Sequence, residues 1–272
     1  MSEILQDTSP AKIITAIEEN LSAWIPFVGK LGRAYVNDPA GVSRSTTDIP
    51  SAPFNSIMDA RLAPEQVEAT IQFIMSDARS RNVPVLWWIG PSTQPADFGK
   101  HLEKYGFIAG EAPGMAVDLA NLNENRAAPA GLSIQLAQDE AAWRQWSKVM
   151  EVGSGAASPD DLVVNGWCNI FRQADPETTQ AYTGWLNGEP VATSLLFLAG
   201  GVAGINAVAT IPAARQRGIG AWMTLFPLRQ ARVKGYKTGV LQASEMGLGV
   251  YRALGFREYY KISYYYWAPE RK

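Results

Sequence analysis

Arg215-Gln216-Arg217-Gly218-Ile219-Gly220-Ala221 stands between the apolar run Ala207-Val208-Ala209-Thr210-Ile211-Pro212 and a stretch of helical rhythm beginning near Trp222. A strand that ends at a proline, turns through basic residues and enters a helix at two glycines leaves several backbone N–H groups unpaired and aimed at one point. An anion satisfies them. The helix dipole adds about 0.3–1 kcal/mol for a negative charge there, and glycine lets a bulky group approach without a Cβ in the way. The stretch reads as a phosphate cradle, the bland alternative for its arginines being a solvated surface turn.

Two other phosphate loops are excluded. A Walker A loop needs Gly, four residues, Gly, Lys and Ser or Thr, which no stretch supplies. The dinucleotide fingerprint needs three glycines and an acid about twenty residues on, where this chain has Lys237-Thr238-Gly239. Downstream, Leu225, Leu228, Ala231 and Arg232 recur at helical spacing over 222–234, and Gly235 is a stop. A short apolar strand, Gly239-Val240-Leu241-Gln242-Ala243, then precedes a short helix over 248–254 and Gly255-Phe256. Upstream, 191–211 carries no charge and is long enough to cross a bilayer. Gly200-Gly201 divides that run, and Asn187-Gly188 before it is a strong hairpin signal. Three antiparallel strands are expected instead, over 180–186, 190–198 and 202–210.

This succession, with its Arg-x-x-Gly-x-Gly-Ala loop and its closing Val250-Tyr251-Arg252-Ala253-Leu254-Gly255-Phe256, resembles the Gcn5-related N-acetyltransferase (GNAT) superfamily over roughly 132–267. The resemblance implies an α/β (α+β) fold with a mixed, mostly antiparallel central sheet flanked by helices. It also implies acetyl-CoA as acyl donor, held by Val208, Ala209 and Thr210 on the fourth strand and by Arg215, Gln216, Arg217, Gly218, Ile219, Gly220 and Ala221 on the loop. The physics agrees, since pantetheine amides pair with a free strand edge as an extended peptide does. Arg215 and Arg217 would add charge-assisted contacts to the pyrophosphate.

In the family, a tyrosine at the place of Tyr251 often protonates the departing thiolate. A phenol with pKa near 10 is protonated at neutral pH and suits that task; the alternative is a ring packed on the sheet. Asn206 stands where many members carry a glutamate base, and an amide accepts no proton at neutral pH. Ser244 stands where many carry an asparagine, and its hydroxyl pairs equally with the pantetheine arm or a water. Glu245 is either a replacement base or a carboxylate capping the helix start near Gly247. The reaction implied is direct attack of an amine of a small molecule or peptide on the thioester, driven by proximity and by strand N–H groups at the oxyanion. The alternative is a catalytically inactive acyl-CoA-binding sensor or interaction protein, and a third is a scaffold module without coenzyme A.

With 272 residues and 47% hydrophobic content, the chain holds one large core or two of ordinary size. Two are expected: 1–121, a polar, Pro-containing linker over 122–131, and 132–272. The first half repeats the order of the second in degraded form. Apolar Val67, Ile71, Phe73 and Ile74 mark a helix over 64–81, 83–89 is a buried strand, and Lys104-Tyr105-Gly106-Phe107 echoes Ala253-Leu254-Gly255-Phe256. It resembles a second GNAT-like domain. Its cradle position, Ala60-Arg61-Leu62-Ala63-Pro64-Glu65-Gln66, has no glycine and has a glutamate where phosphate would sit, so no coenzyme A loop is expected there. Trp87, Trp88 and Tyr105 serve either an acceptor pocket or the core, and strand alternation pairs Tyr264 with Tyr266 and Tyr265 with Trp267.

His101 is the only histidine and Cys168 the only cysteine, so no metal site is expected. Cys168 reads as a small buried side chain. A net charge of −2 argues against nucleic acid as a partner. The polar, acidic start lacks a secretory signal, and a single cysteine suits a reducing compartment. A cytoplasmic protein without a membrane partner is expected, and the sequence is compatible with a homo-oligomer.

Overall fold

The computed structural model describes residues 3–36, 38 and 41–270. In chain order the elements are α1 (Pro10–Ser22), α2 (Trp24–Val28), β1 (Arg33–Tyr35), β2 (Ser43–Thr46), β3 (Ser56–Met58), α3 (Pro64–Arg81), β4 (Val85–Ile89), α4 (Phe98–Lys104) and β5 (Ile108–Asp118). They continue with β6 (Leu132–Leu136), α5 (Glu140–Gly153), α6 (Asp161–Gln173), β7 (Thr179–Leu186), β8 (Glu189–Ala199), β9 (Val202–Thr210), α7 (Ile219–Val233), β10 (Thr238–Gln242), α8 (Glu245–Ala253) and β11 (Arg257–Trp267). Packing divides the chain into Met1–Leu21 with Pro113–Tyr260, and Ser22–Ala112 with Lys261–Lys272. The expected boundary at 122–131 follows chain order; packing groups the residues otherwise, because β5 and β11 each begin in one unit and end in the other.

In the larger unit the strands lie in the order β5-β10-β9-β8-β7-β6. The β7–β8 hairpin turns at Asn187 (φ 52°) and Gly188 (φ 87°), and the β8–β9 hairpin at Gly200 (φ 61°) and Gly201 (φ 72°). Paired left-handed residues match the twist of the flanking strands, which is why these dipeptides fold back at once. Residues 191–198 of β8 are all buried, so this strand is covered on both faces and shows no polar alternation. Leu196 and Leu198 pack with Met223, Leu225 and Leu228 of α7. Trp146 of α5 donates its indole N–H to Ser194 O at 3.1 Å, and its ring meets Trp167 and Phe171 of α6 edge-on. Helix α1 is fastened by buried Asn20, whose Nδ2 donates to Phe197 O and Ala199 O.

In the smaller unit β1 pairs antiparallel with β2, β2 antiparallel with β3, β3 parallel with β4, and β4 antiparallel with the end of β11. The larger unit ends in the same succession: β8–β9 antiparallel, β9–β10 parallel, and β10 antiparallel with the end of β5. The repeated order read in the first half is therefore a repeated topology, and the strand closing each sheet comes from the other half of the sequence. Trp87 is fully buried against Phe98 and Phe107, a core residue. Tyr265 and Trp267 join that core, while Tyr264 meets Trp88. Phe73, expected beside Val67, Ile71 and Ile74, is instead 51% exposed on the flank of α3, beneath the Arg44 guanidinium. Among the described residues no helix is long and apolar enough to cross a membrane.

Candidate active site

Strands β9 and β10 are paired only at Ala203/Gly239 and Gly204/Val240. Beyond that point β9 runs on to Thr210 with β8 as its only partner, so its other edge is free. A bulge enforces the parting. Between the pairs Leu195/Asn206 and Thr193/Ala209, β9 carries one residue more than β8. Ala207 there has φ 48°, a left-handed conformation that costs a non-glycine residue roughly 1–2 kcal/mol. Thr193 Oγ1 donates to Ala207 O at 2.8 Å and holds the distortion in place.

The loop after β9 is built on Arg215. Its Nε donates to Thr210 O at 3.1 Å and its Nη2 to Gly153 O at 3.0 Å, which ties the loop to the strand end and to the last residue of α5. Gln216 and Gly218 are left-handed (φ 60° and 77°), and Gly218 is the N-cap of α7 with no side chain capping the helix. Helix α7 starts at Ile219, a turn earlier than its periodicity suggests, so the N–H groups of its first turn face the space in front of the loop. A Cβ built on Gly218 or Gly220 meets no atom within 4 Å.

These elements enclose a cleft of about 530 Å³. Val208, Ala209 and Thr210 of β9, Arg215, Gln216, Gly218, Ile219, Gly220 and Ala221 of the loop and the start of α7, and Ser244 and Tyr251 at α8 line it. Of the residues assigned to the cofactor or to catalysis from the sequence, Arg217 lies outside the lining and is exposed. Asn206 and Glu245 also lie outside it, and among the described residues no carboxylate or imidazole lines the cleft. Ser244 Oγ accepts from Gly247 N at 3.2 Å as the N-cap of α8, the position sequence had offered to Glu245.

Tyr251 is buried, its ring edge-on to Phe256 at 5.9 Å and resting on Gly247, where a Cβ would come within 2.7 Å of Tyr251 Cε2. Burial pushes its phenol up to about 12. Its hydroxyl has no partner among the described residues. Arg126, Gly153, Ala214 and Met246 also line the cleft and were not foreseen; Gly247 and Val250 complete it. Arg126 belongs to the presumed linker, which is strapped down: Asn123 bonds to Leu254 O and Ala253 O, and Trp222 Nε1 donates to Ala127 O.

The corresponding gap in the smaller unit is filled by the chain itself. Past the parallel pairs Ser56/Leu86 and Ile57/Trp87, Gln94 N donates to Ala60 O at 2.9 Å and Leu62 N to Gln94 O at 3.1 Å. The start of α3 is closed as well, with Gln66 Oε1 accepting from Ala63 N at 3.0 Å. Elsewhere, Cys168 is buried in α6, burial raising its thiol pKa, and among the described residues no group of three metal-binding side chains occurs.

Comparison with solved structures shows that this chain carries the GNAT fold in tandem. It is similar to a GCN5-related N-acetyltransferase from Kribbella flavida at 18% identity and TM-score 0.68, over 95% of this chain and 96% of that one. A GCN5-related N-acetyltransferase from Sphaerobacter thermophilus matches at 18% identity and TM-score 0.60, over 85% and 77%. A tandem GNAT protein from the clavulanic acid biosynthesis pathway matches at 13% identity and TM-score 0.54, over 79% and 76%. No protein-family model and no curated protein matches the sequence.

Proposed function

We propose that the chain is an N-acetyltransferase that takes acetyl-CoA as acyl donor and an amine of a small molecule or peptide as acceptor. One observation carries this reading: the free edge of β9, the uncapped start of α7 and Tyr251 all border a single cleft. Val208, Ala209 and Thr210 would hold the pantetheine amides by backbone pairing, and the first turn of α7 with Gly218 and Gly220 would take the pyrophosphate. Acetyl-CoA supplies an acyl group activated as a thioester. The residues supply position, N–H groups at the carbonyl oxygen, and a proton donor. Tyr251, protonated throughout the neutral range, is the donor for the leaving thiolate.

The cleft offers an acid and no base. An acceptor must therefore arrive as the neutral amine, and kcat/KM is expected to rise with pH until the pKa of the free amine is reached. The same observation favours the second reading, an acyl-CoA-binding protein without turnover. Thiol release from acetyl-CoA across a panel of amines separates the two: amine-dependent release supports the enzyme, and tight binding without release supports the sensor. The closed gap between β3 and β4 supports the view that the 1–121 half takes no coenzyme A. Release into a reducing, cytoplasmic compartment remains part of this proposal.

A further inference from the structure

The cleft is basic in a way that the glycine loop does not explain. Arg215 is committed to two backbone carbonyls and Arg217 is exposed outside the lining. The second cation in the cleft lining is Arg126, from the strap bonded to α7 and α8. The side chain is part-buried and its Nε is screened from water, yet no acceptor in the protein meets that atom. Its nearest acid in sequence, Glu124, is held by Arg229 and Arg232, each at 2.8 Å, and so leaves Arg126 uncompensated. Asn123 and Ala127 fix the backbone on either side. A screened, unpaired guanidinium held beside an uncapped helix start is unfavourable until an anion arrives, and its fork matches phosphate oxygens.

We infer that Arg126 is a phosphate-binding residue for coenzyme A, supplying from the strap an uncommitted guanidinium beside the glycine loop, whose Arg215 is held by backbone carbonyls. The inference rests on the acyl-CoA reading above and adds a residue and a segment to it. A charge-assisted, bidentate contact of this kind predicts that Arg126→Ala weakens acetyl-CoA binding roughly tenfold to a hundredfold. The ligand-free protein should melt as before, since the side chain bonds to nothing that the substitution would strand.

The test is calorimetric titration of the full chain and of Arg126→Ala and Arg126→Lys with acetyl-CoA and with 3′-dephospho-coenzyme A, at two salt concentrations. A loss in Arg126→Ala, partly recovered by lysine and shrinking at high salt, supports the inference. If the loss is confined to acetyl-CoA, Arg126 holds the ribose 3′-phosphate; if it persists with the dephospho form, Arg126 holds the pyrophosphate. Unchanged affinity in Arg126→Ala overturns the inference and leaves the acyl-CoA reading standing. A loss that is the same at both salt concentrations assigns the effect to packing and also overturns it. Absence of acetyl-CoA binding by the unmodified chain removes both.

Discussion

Gly220→Glu moves folding and binding in opposite directions, and the structure sets both signs. Gly220 is the second residue of α7, and a Cβ there meets no atom within 4 Å. Replacing glycine within a helix gains about 0.5–1 kcal/mol, and a carboxylate in the first turn adds about 0.3–1 kcal/mol by meeting the helix dipole. The ligand-free variant should therefore unfold at the same or higher urea concentration than the parent. For acetyl-CoA the change is adverse. A unit charge about 4 Å from a phosphate charge, at an effective dielectric of about 20, costs about 4 kcal/mol, or roughly a thousandfold in Kd. Gly220→Ala separates volume from charge and should fall between. Urea unfolding without ligand and calorimetric titration with it give the two quantities independently. A folded Gly220→Glu protein that binds acetyl-CoA as the parent does would refute the placement of the pyrophosphate on α7.

The remaining expectations concern α8. Tyr251→Phe removes a hydroxyl that touches no protein group, so turnover should fall about a hundredfold or more while the Kd for acetyl-CoA stays within about twofold. Gly247→Ala drives a methyl into the Tyr251 ring and should lower turnover despite the better helix propensity; steady-state kinetics check both. Gly249→Ala, where a Cβ meets no atom within 4 Å, should raise stability by up to about 1 kcal/mol in urea unfolding and leave binding unchanged. Tyr251 also has a pH signature. Its folded pKa, raised to about 12 by burial, lies above the unfolded value near 10, so its contribution to stability is complete below pH 10 and is lost as pH rises toward 12. Each such tyrosine lowers stability by up to about 1.4 kcal/mol per pH unit in that window. Unfolding curves at pH 9 and 11.5 should show a smaller loss for Tyr251→Phe than for the parent, and equal losses would contradict the burial assigned to the phenol.

Local chemistry was legible in the sequence, and pairing over long separations was not. Asn187-Gly188 and Gly200-Gly201 announce their hairpins because left-handed residues are needed there and only a few side chains tolerate it. The cradle was visible for the same reason at Gly218. Helix α7 begins before the start that its sequence suggests, because Gly220, a poor helix former, is its second residue. The left-handed Ala207 leaves no mark in composition, being imposed by the bulge and by Thr193. Arg215 reads as a phosphate ligand in sequence, yet its acceptor, Gly153 O, lies 62 residues away and takes it for the scaffold. The closing strands were hidden by the same separation: β5 pairs with β10, and nothing in the alternation of β5 says which sheet it joins. Arg126 was missed because a polar segment with small residues and a proline looks like a tether until Trp222, Arg229 and Arg232 are seen to hold it.

One acyl-CoA is expected to bind per chain, in the cleft between β9 and α8. Calorimetric titration of the purified chain with acetyl-CoA at moderate salt tests it most directly. Saturable binding with a stoichiometry of one is expected, because the parted strands of one unit leave an edge free and the other unit pairs that edge with Gln94. No binding at high micromolar ligand, or two equivalents bound per chain, would contradict it.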